Sequence, residues 1–507
     1  MNRSVNLKRN IVFSLLCQLI TVICGFVVPK LFLDAYGSEA YGATASITQL
    51  LAYITLLEGG VGGVARAVLY KPIANGDTYA ISAIIKEIKR FFRILSYIFI
   101  AYVLILACFF NKMSHIECFD WLSTFLLVIV LSIATFSEYF IGISYSLFLQ
   151  ASQRMYIVKV LSIITTILNT ICIIVFIKLG FSLILVKLVS SFVFAIKPIA
   201  LRFIVKRYYK LVNVTEKTNT YLKQKWDGLG QHIAFVFHSN TDVLLITIFS
   251  KLTQVAVYSV YNMIITQVKN IVTSLTAGIE SLFGDMIAKD ETRQLNSVFD
   301  LYEVLVSIVS ITVFSSLTIV IVPFVRLYTS LLKDANYIEP AFAFVLTFSS
   351  VLFCWRIPYT SVVEAAGHFK QTRLGAFGEA FVNMAASVAL INPMGLCGVA
   401  IGTVLGTLTR FIYYVVYLTK NIICRSLKLF FKRFILNVIT YVFITLTGMI
   451  YVMKLSVPNY FTWFVLGLAV IVIAALISII INFIFYRQDT KKALKILLRL
   501  KKGEGLL

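Results

Sequence analysis

Charged side chains make up only 14% of this 507-residue chain, and histidines number four. So little charge excludes a soluble domain with an ordinary polar surface, and so few histidines leave no zinc-type cluster. The eight cysteines, at 17, 24, 108, 118, 172, 354, 397 and 424, include no CxxC pair and fall mainly inside apolar runs. They read as small core residues rather than as metal ligands or a disulfide framework. Neither a Walker loop nor a nucleophile elbow occurs. Direct use of ATP and acyl-transfer chemistry are therefore not expected, and the chain does not read as an enzyme.

What is present is apolar surface. Hydrophobic residues account for 59% of the chain and mean hydropathy is +0.90. Each helical crossing of a bilayer core takes about 20 apolar residues, and the apolar runs here have that length. Fourteen spans are expected, near 10–33, 41–70, 91–111, 119–149, 155–177, 180–203, 229–250, 253–285, 297–322, 337–366, 373–391, 396–418, 433–453 and 460–486. The first follows the basic start "MNRSVNLKRN" but runs on without a small-x-small cleavage site, so it reads as an uncleaved span.

The formal net charge of +23 is distributed as a topology signal. Lys plus Arg total 32 in alternate connections counted from the N-terminus and 6 in the intervening ones. By the positive-inside rule both termini are then cytoplasmic, and nucleic acid is not the expected partner. The opposite loops are short, with no room for an external catalytic domain. The stretches 79–93 and 491–503 pair an apolar with a basic face at helical period, which suits helices lying on an anionic leaflet.

An internal repeat is legible. "SYSLFLQASQRMYIVKVLSIITTILNT" (144–170) lies on "PYTSVVEAAGHFKQTRLGAFGEAFVNM" (358–384) at an offset of 214. Tyr145 meets Tyr359, Gln150 meets Glu364, Arg154 meets His368, and Asn169 meets Asn383. "AYGATASITQ" (40–49) aligns with "VYSVYNMIIT" (257–266) at 217, placing Tyr41 on Tyr258. The expected layout is a six-helix bundle over 1–205, a basic linker over 206–225, a second six-helix bundle over 226–418, two further helices over 419–486 and a basic tail over 487–507. Six is even, so the repeats are parallel, and a binding site between them with alternating access follows from that architecture.

The opening "LKRNIVFSLLCQLITVICGFVVPKLFLDAYGSEAYGATASITQLLAYITLLEGGVGGVARAVLY" and the Tyr-x4-[Gln/Glu]-Ala motif of both halves resemble the polysaccharide transporter (Wzx-type flippase) family. That family belongs to the multidrug/oligosaccharidyl-lipid/polysaccharide flippase superfamily. The resemblance implies an all-α, MATE-like membrane protein that moves an undecaprenyl-diphosphate-linked oligosaccharide across the bacterial cytoplasmic membrane. Its product would feed O-antigen, capsule or exopolysaccharide assembly, beside polymerising partners. With no ATP-binding loop, no cofactor is expected, and any driving force would be a proton or sodium gradient or consumption of the product on the far side. An ion-coupled multidrug exporter of the same superfamily, and an envelope glycan polymerase or ligase, are the alternative functions.

Ionised groups inside spans are costly, roughly 2.5–3.5 kcal/mol each, and normally face a partner or a wet cavity. On one continuous helix, Glu58 and Arg66 stand about 80° apart, with Gly62 between them, on a face expected to line a cavity. A structural ion pair is the competing reading. Arg66, Lys269, Arg356 and Arg410 are the candidates for a diphosphate, since charge-assisted bonds strengthen in low dielectric. Glu58, His238, Asp242 and Glu280 are the candidates for ion coupling; His238 and Asp242 are spaced i, i+4. Arg154 and His368, equivalent in the repeat, are the candidates for a cytoplasmic gate. Gly398-x3-Gly402-x3-Gly406 reads as close helix packing.

Overall fold

The computed structural model describes residues 3–58, 61–114, 116–209, 212, 229–276, 279–423 and 425–486. The proposed surface helix at 491–503, the tail and most of the linker lie outside these residues. All regular structure among the described residues is helical. Among the described residues, eleven helical stretches are long and apolar enough to cross a membrane, which makes this a multi-pass membrane protein.

The chain forms two compact units, residues 1–256 with 331–335, and residues 257–330 with 336–507. The first holds α1 (Arg3–Leu51), α2 (Thr55–Glu58), α3 (Val61–Asn75), α4 (Thr78–Ser114), α5 (Trp121–Ser137), α6 (Ile143–Ala151), α7 (Met155–Lys178), α8 (Leu183–Tyr208) and α9 (Leu229–Phe249). A π-helical turn, Glu138–Gly142, joins α5 to α6. α10 (Leu252–Leu275) begins in the first unit and leads into the second. The second continues with α11 (Ile279–Ala288), α12 (Thr292–Tyr328), α13 (Pro340–Ala365), α14 (Phe369–Met394), α15 (Leu396–Asn421), α16 (Leu427–Met453) and α17 (Tyr460–Phe485).

At 1.5 Å per residue, a straight 49-residue α1 would be about two and a half times the thickness of a bilayer core. It bends at Gly37, whose φ of 81° is a left-handed conformation glycine adopts without steric cost. The bend frees the first backbone groups of the continuing helix, and Asp334 takes them up. Its carboxylate accepts from the Ser38 N–H at 2.6 Å and from the Ser38 hydroxyl at 2.7 Å. A charged cap on a half-buried helix start is worth about 1–2 kcal/mol. Asp334→Ala is expected to lower the midpoint of thermal unfolding, while Asp334→Asn recovers most of the loss. Identical midpoints for wild type and Asp334→Ala would remove the cap from the account.

The repeat is present in the backbone. α4 and α12 are each 37 residues long and start 214 positions apart, at Thr78 and Thr292. α6 and α13 end at Ala151 and Ala365, and α7 and α14 begin at Met155 and Phe369, again 214 apart. Both intervening turns pass through a left-handed residue, Gln153 (φ 58°) and Gly367 (φ 71°). Both close with the same 6→1 bond, from Arg154 N–H to the Leu149 carbonyl (2.8 Å) and from His368 N–H to the Val363 carbonyl (3.2 Å). The register of 214 also holds at the bend, because α1 resumes at Ser38 and α10 begins at Leu252. It sets Tyr41 on Val255, so the sequence match at 217 is corrected. A slip of three residues is close to one helical turn and leaves apolar spacing almost unchanged.

The stretch 79–93 is not a separate surface helix. It is the start of α4, and Ser82, Ala83, Ile84, Ile85, Ile88 and Phe92 are buried within the unit.

Candidate functional site

In the second unit, three of the four cations proposed for a diphosphate come together. Glu379 on α14 is 1% exposed and accepts from Arg356 of α13 and Arg410 of α15, each at 2.7 Å. Arg410 also donates to the Tyr414 hydroxyl at 3.3 Å. The Arg356 guanidinium and the Lys269 amine of α10 each lie 5.0 Å from the centre of the Phe353 ring. Glu364, at the end of α13, is within electrostatic reach of Glu280 on α11 and of both arginines. The cluster therefore combines three cations with three carboxylates inside apolar helices.

The helix contacts explain why it forms. α14 and α15 pack closely along Gly398, Gly402 and Gly406. A Cβ at Gly402 would stand 2.0 Å from Ser387 Oγ, and one at Gly406 would stand 2.8 Å from the Glu379 carbonyl. The glycine stripe sets the separation at which Glu379 meets Arg410, so it has a positioning role beyond packing.

A second buried network lies on α12 of the same unit. Glu303 accepts from Arg425 (2.6 Å), Arg433 (2.5 Å) and the Tyr359 hydroxyl (2.5 Å). Asp300 lies 3.3 Å from both arginines. Arg433 belongs to α16 and Arg425 to the turn before it, so this network ties α16 to α12 and α13.

Arg66 is in the first unit and exposed. Its Nε donates to the Gly62 carbonyl and its NH1 to Gln150 Oε1, both at 3.3 Å. Among the described residues it has no carboxylate partner. Glu58 accepts from the Tyr139 hydroxyl at 3.3 Å, and its Oε1 lies 3.5 Å from where a Cβ on Gly62 would stand. The span expected over 41–70 is interrupted by a 3-10 turn at Ala52–Ile54. Residues 59 and 60, between Glu58 of α2 and Val61 of α3, lie outside the described residues, and so does the expected relation of Glu58 to Arg66 around one helix.

Asp242 on α9 is buried and within electrostatic reach of Tyr53. Another face of α9 is bound to α1 through Ser46 and Thr247 at 2.6 Å, and through Gln49 and Asn240. His238 falls within α9, with its side chain outside the described residues. Of the other intramembrane charges, Lys197 pairs with Glu138 at 3.6 Å and Lys187 stands 3.7 Å over the Phe32 ring. Arg154 stacks 5.2 Å from the Tyr209 ring, and His368 Nδ1 bonds the Tyr417 hydroxyl at 3.0 Å.

The sequence reading did not place Gln150, Glu364, Glu379, Tyr145, Tyr359, Lys89 or Glu303 among the site residues. The repeat carried the missing signal. Extended upstream, its offset of 214 pairs Arg66 with Glu280 and Lys89 with Glu303.

No protein-family model matches the sequence, and no curated protein matches it. Solved structures do match in fold. The lipid II flippase MurJ in an inward closed conformation is 16% identical, with a TM-score of 0.66 over 94% of this chain and 99% of that one. An inward-facing multidrug resistance MATE family transporter of the MOP superfamily is 15% identical, with a TM-score of 0.59 over 78% and 93%. The MATE multidrug transporter DinF-BH is 16% identical, with a TM-score of 0.57 over 82% and 95%. The fold is thus the all-α, MATE-like arrangement.

Proposed function

We propose that this chain is a flippase for an undecaprenyl-diphosphate-linked oligosaccharide in a bacterial cytoplasmic membrane, working by alternating access. The distribution of Lys and Arg over the connections supports cytoplasmic termini on this reading. The observation that carries this reading is Arg66: a guanidinium on α3, exposed, held by neutral groups only, and so available to an anionic headgroup. The opening sequence supports the glycan as cargo, and the likeness in fold to the lipid II flippase MurJ supports a lipid-linked substrate of that general kind. Lys269 and Arg356, which share the Phe353 ring, are the second group of phosphate ligands. Glu58, Asp242, Glu280 and Glu364 are the carboxylates for a coupling ion, with Arg154 and His368 as gate residues. No chemical step is involved.

The test is Arg66→Gln beside Arg66→Lys, both reconstituted in liposomes with a fluorescent polyprenyl-diphosphate oligosaccharide. Removing one charge-assisted contact is expected to slow translocation about tenfold or more, with Lys partly restoring the rate. Wild-type rates from correctly inserted Arg66→Gln would remove Arg66 from the site.

A further inference from the structure

The two halves carry the same tyrosine with opposite charges around it. In the second unit Tyr359 donates to Glu303, and that carboxylate is filled by Arg425 and Arg433. In the first unit the equivalent Tyr145 accepts from Lys89, whose amine lies 2.7 Å from its hydroxyl and 4.2 Å from its ring centre. Lys89 and Glu303 are themselves equivalent at the offset of 214.

The charges facing Lys89 are Arg93 on its own helix and Arg202 and Lys206 on the last turns of α8. All four are basic. Glu87, two residues earlier on α4, points about 160° away around the helix. In the second unit the positions matching Arg93 and Arg202 are Ser307 and Val416. Glu303 thus has its counter-charges within the chain, whereas among the described residues no carboxylate pairs with Lys89, Arg93, Arg202 or Lys206.

Hydrogen bonding points the same way. Lys89 uses one of its three N–H donors on Tyr145, and the Tyr145 hydroxyl, having accepted that bond, keeps its own proton to donate. Arg93, Arg202 and Lys206 are exposed. Clustered donors around a partly buried amine, uncompensated at the end of membrane helices, suit a phosphate group.

Alongside, the Arg93 guanidinium lies 5.7 Å from the centre of the exposed Phe140 ring, which Tyr97 of α4 also meets at 6.4 Å, and α8 exposes Ile199 and Phe203 next to Arg202. Polar cations bordering lipid-facing apolar side chains fit an amphiphile better than a free ion: the headgroup on the cations, the chain on the apolar strip. We propose that Lys89, Arg93, Arg202 and Lys206, with Tyr145, form a binding site for the phosphate of an anionic phospholipid headgroup. This site shares no residue with the Arg66 and Glu379 groups and does not depend on what the protein transports.

The experiment is native mass spectrometry of the full-length protein with phosphatidylglycerol and, separately, phosphatidylcholine. The test variant is Arg93→Gln/Arg202→Gln, both exposed and outside the core. The control is Lys112→Gln/Lys178→Gln, an equal loss of charge at the far ends of α4 and α7. Retention of phosphatidylglycerol is expected to fall about tenfold in the test variant only, with phosphatidylcholine unaffected. Lys89→Arg should retain the lipid, and Tyr145→Phe should weaken it. Wild-type retention in the folded test variant, or an equal loss in the control, overturns the site. Complete displacement of the lipid by excess inorganic phosphate overturns the lipid as its occupant.

Discussion

Glu379→Gln is expected to destabilise the second unit by about 3–5 kcal/mol, because it keeps the volume of the side chain but takes from two buried guanidiniums the carboxylate they hydrogen-bond. Glu379 is 1% exposed, and the Arg356 and Arg410 side chains are 6% and 14% exposed, so water cannot replace the lost charge. Arg356→Gln should cost much less, since Glu379 then still pairs with Arg410 at 2.7 Å. The double variant Glu379→Gln/Arg356→Gln should be more stable than the sum of the two losses, as it removes one of the stranded cations together with the anion. The readout is the midpoint of heat-induced loss of the monodisperse protein in detergent. Additive losses would mean that the two side chains act independently and that the ion triad is not the organising contact.

Gly402→Val is expected to be comparably damaging, by about 3 kcal/mol, through overpacking. A Cβ there would stand 2.0 Å from Ser387 Oγ, 2.8 Å from Ser387 N and 2.9 Å from the Asn383 carbonyl. Two of those three atoms are backbone, so no rotamer change relieves the clash and α14 must move from α15. Glu379 rides on α14 and Arg410 on α15, so the same displacement should stretch their ion pair. Gly467 on α17 is the comparison, because a Cβ there meets nothing within 4 Å. Gly467→Ala should be neutral or stabilising through helix propensity, by up to about 1 kcal/mol. Equal midpoints for Gly402→Val and wild type would mean that the stripe does not set the helix separation.

The sequence carried the fold class because membrane spans are a matter of length and apolar content, and both survive any change of packing. It carried the repeat because the stretch around Tyr145 and Tyr359 keeps its spacing through a turn whose backbone is the same in both halves. It did not carry the Glu379 triad. Those partners are 23 and 31 residues apart on three helices, and nothing in one helix's periodicity states which neighbour it faces.

Residues 79–93 show a second limit. An apolar face at helical period has the same pattern whether it meets a leaflet or other helices, and here α4 packs on α3, α5, α6 and α9. The charge inversion between the halves was within reach of the sequence, through Lys89 and Glu303 at the same offset as the tyrosines. It gains physical meaning only when Arg425 and Arg433 are found on the carboxylate and, among the described residues, nothing acidic is found on the amine.

The central claim is tested most directly by wild-type protein reconstituted in liposomes with a fluorescent polyprenyl-diphosphate oligosaccharide, an impermeant quencher reporting the fraction exposed outside. The account predicts protein-dependent transfer of the lipid-linked oligosaccharide between leaflets and no transport of a cationic dye. Dye export without transfer of the oligosaccharide would contradict it.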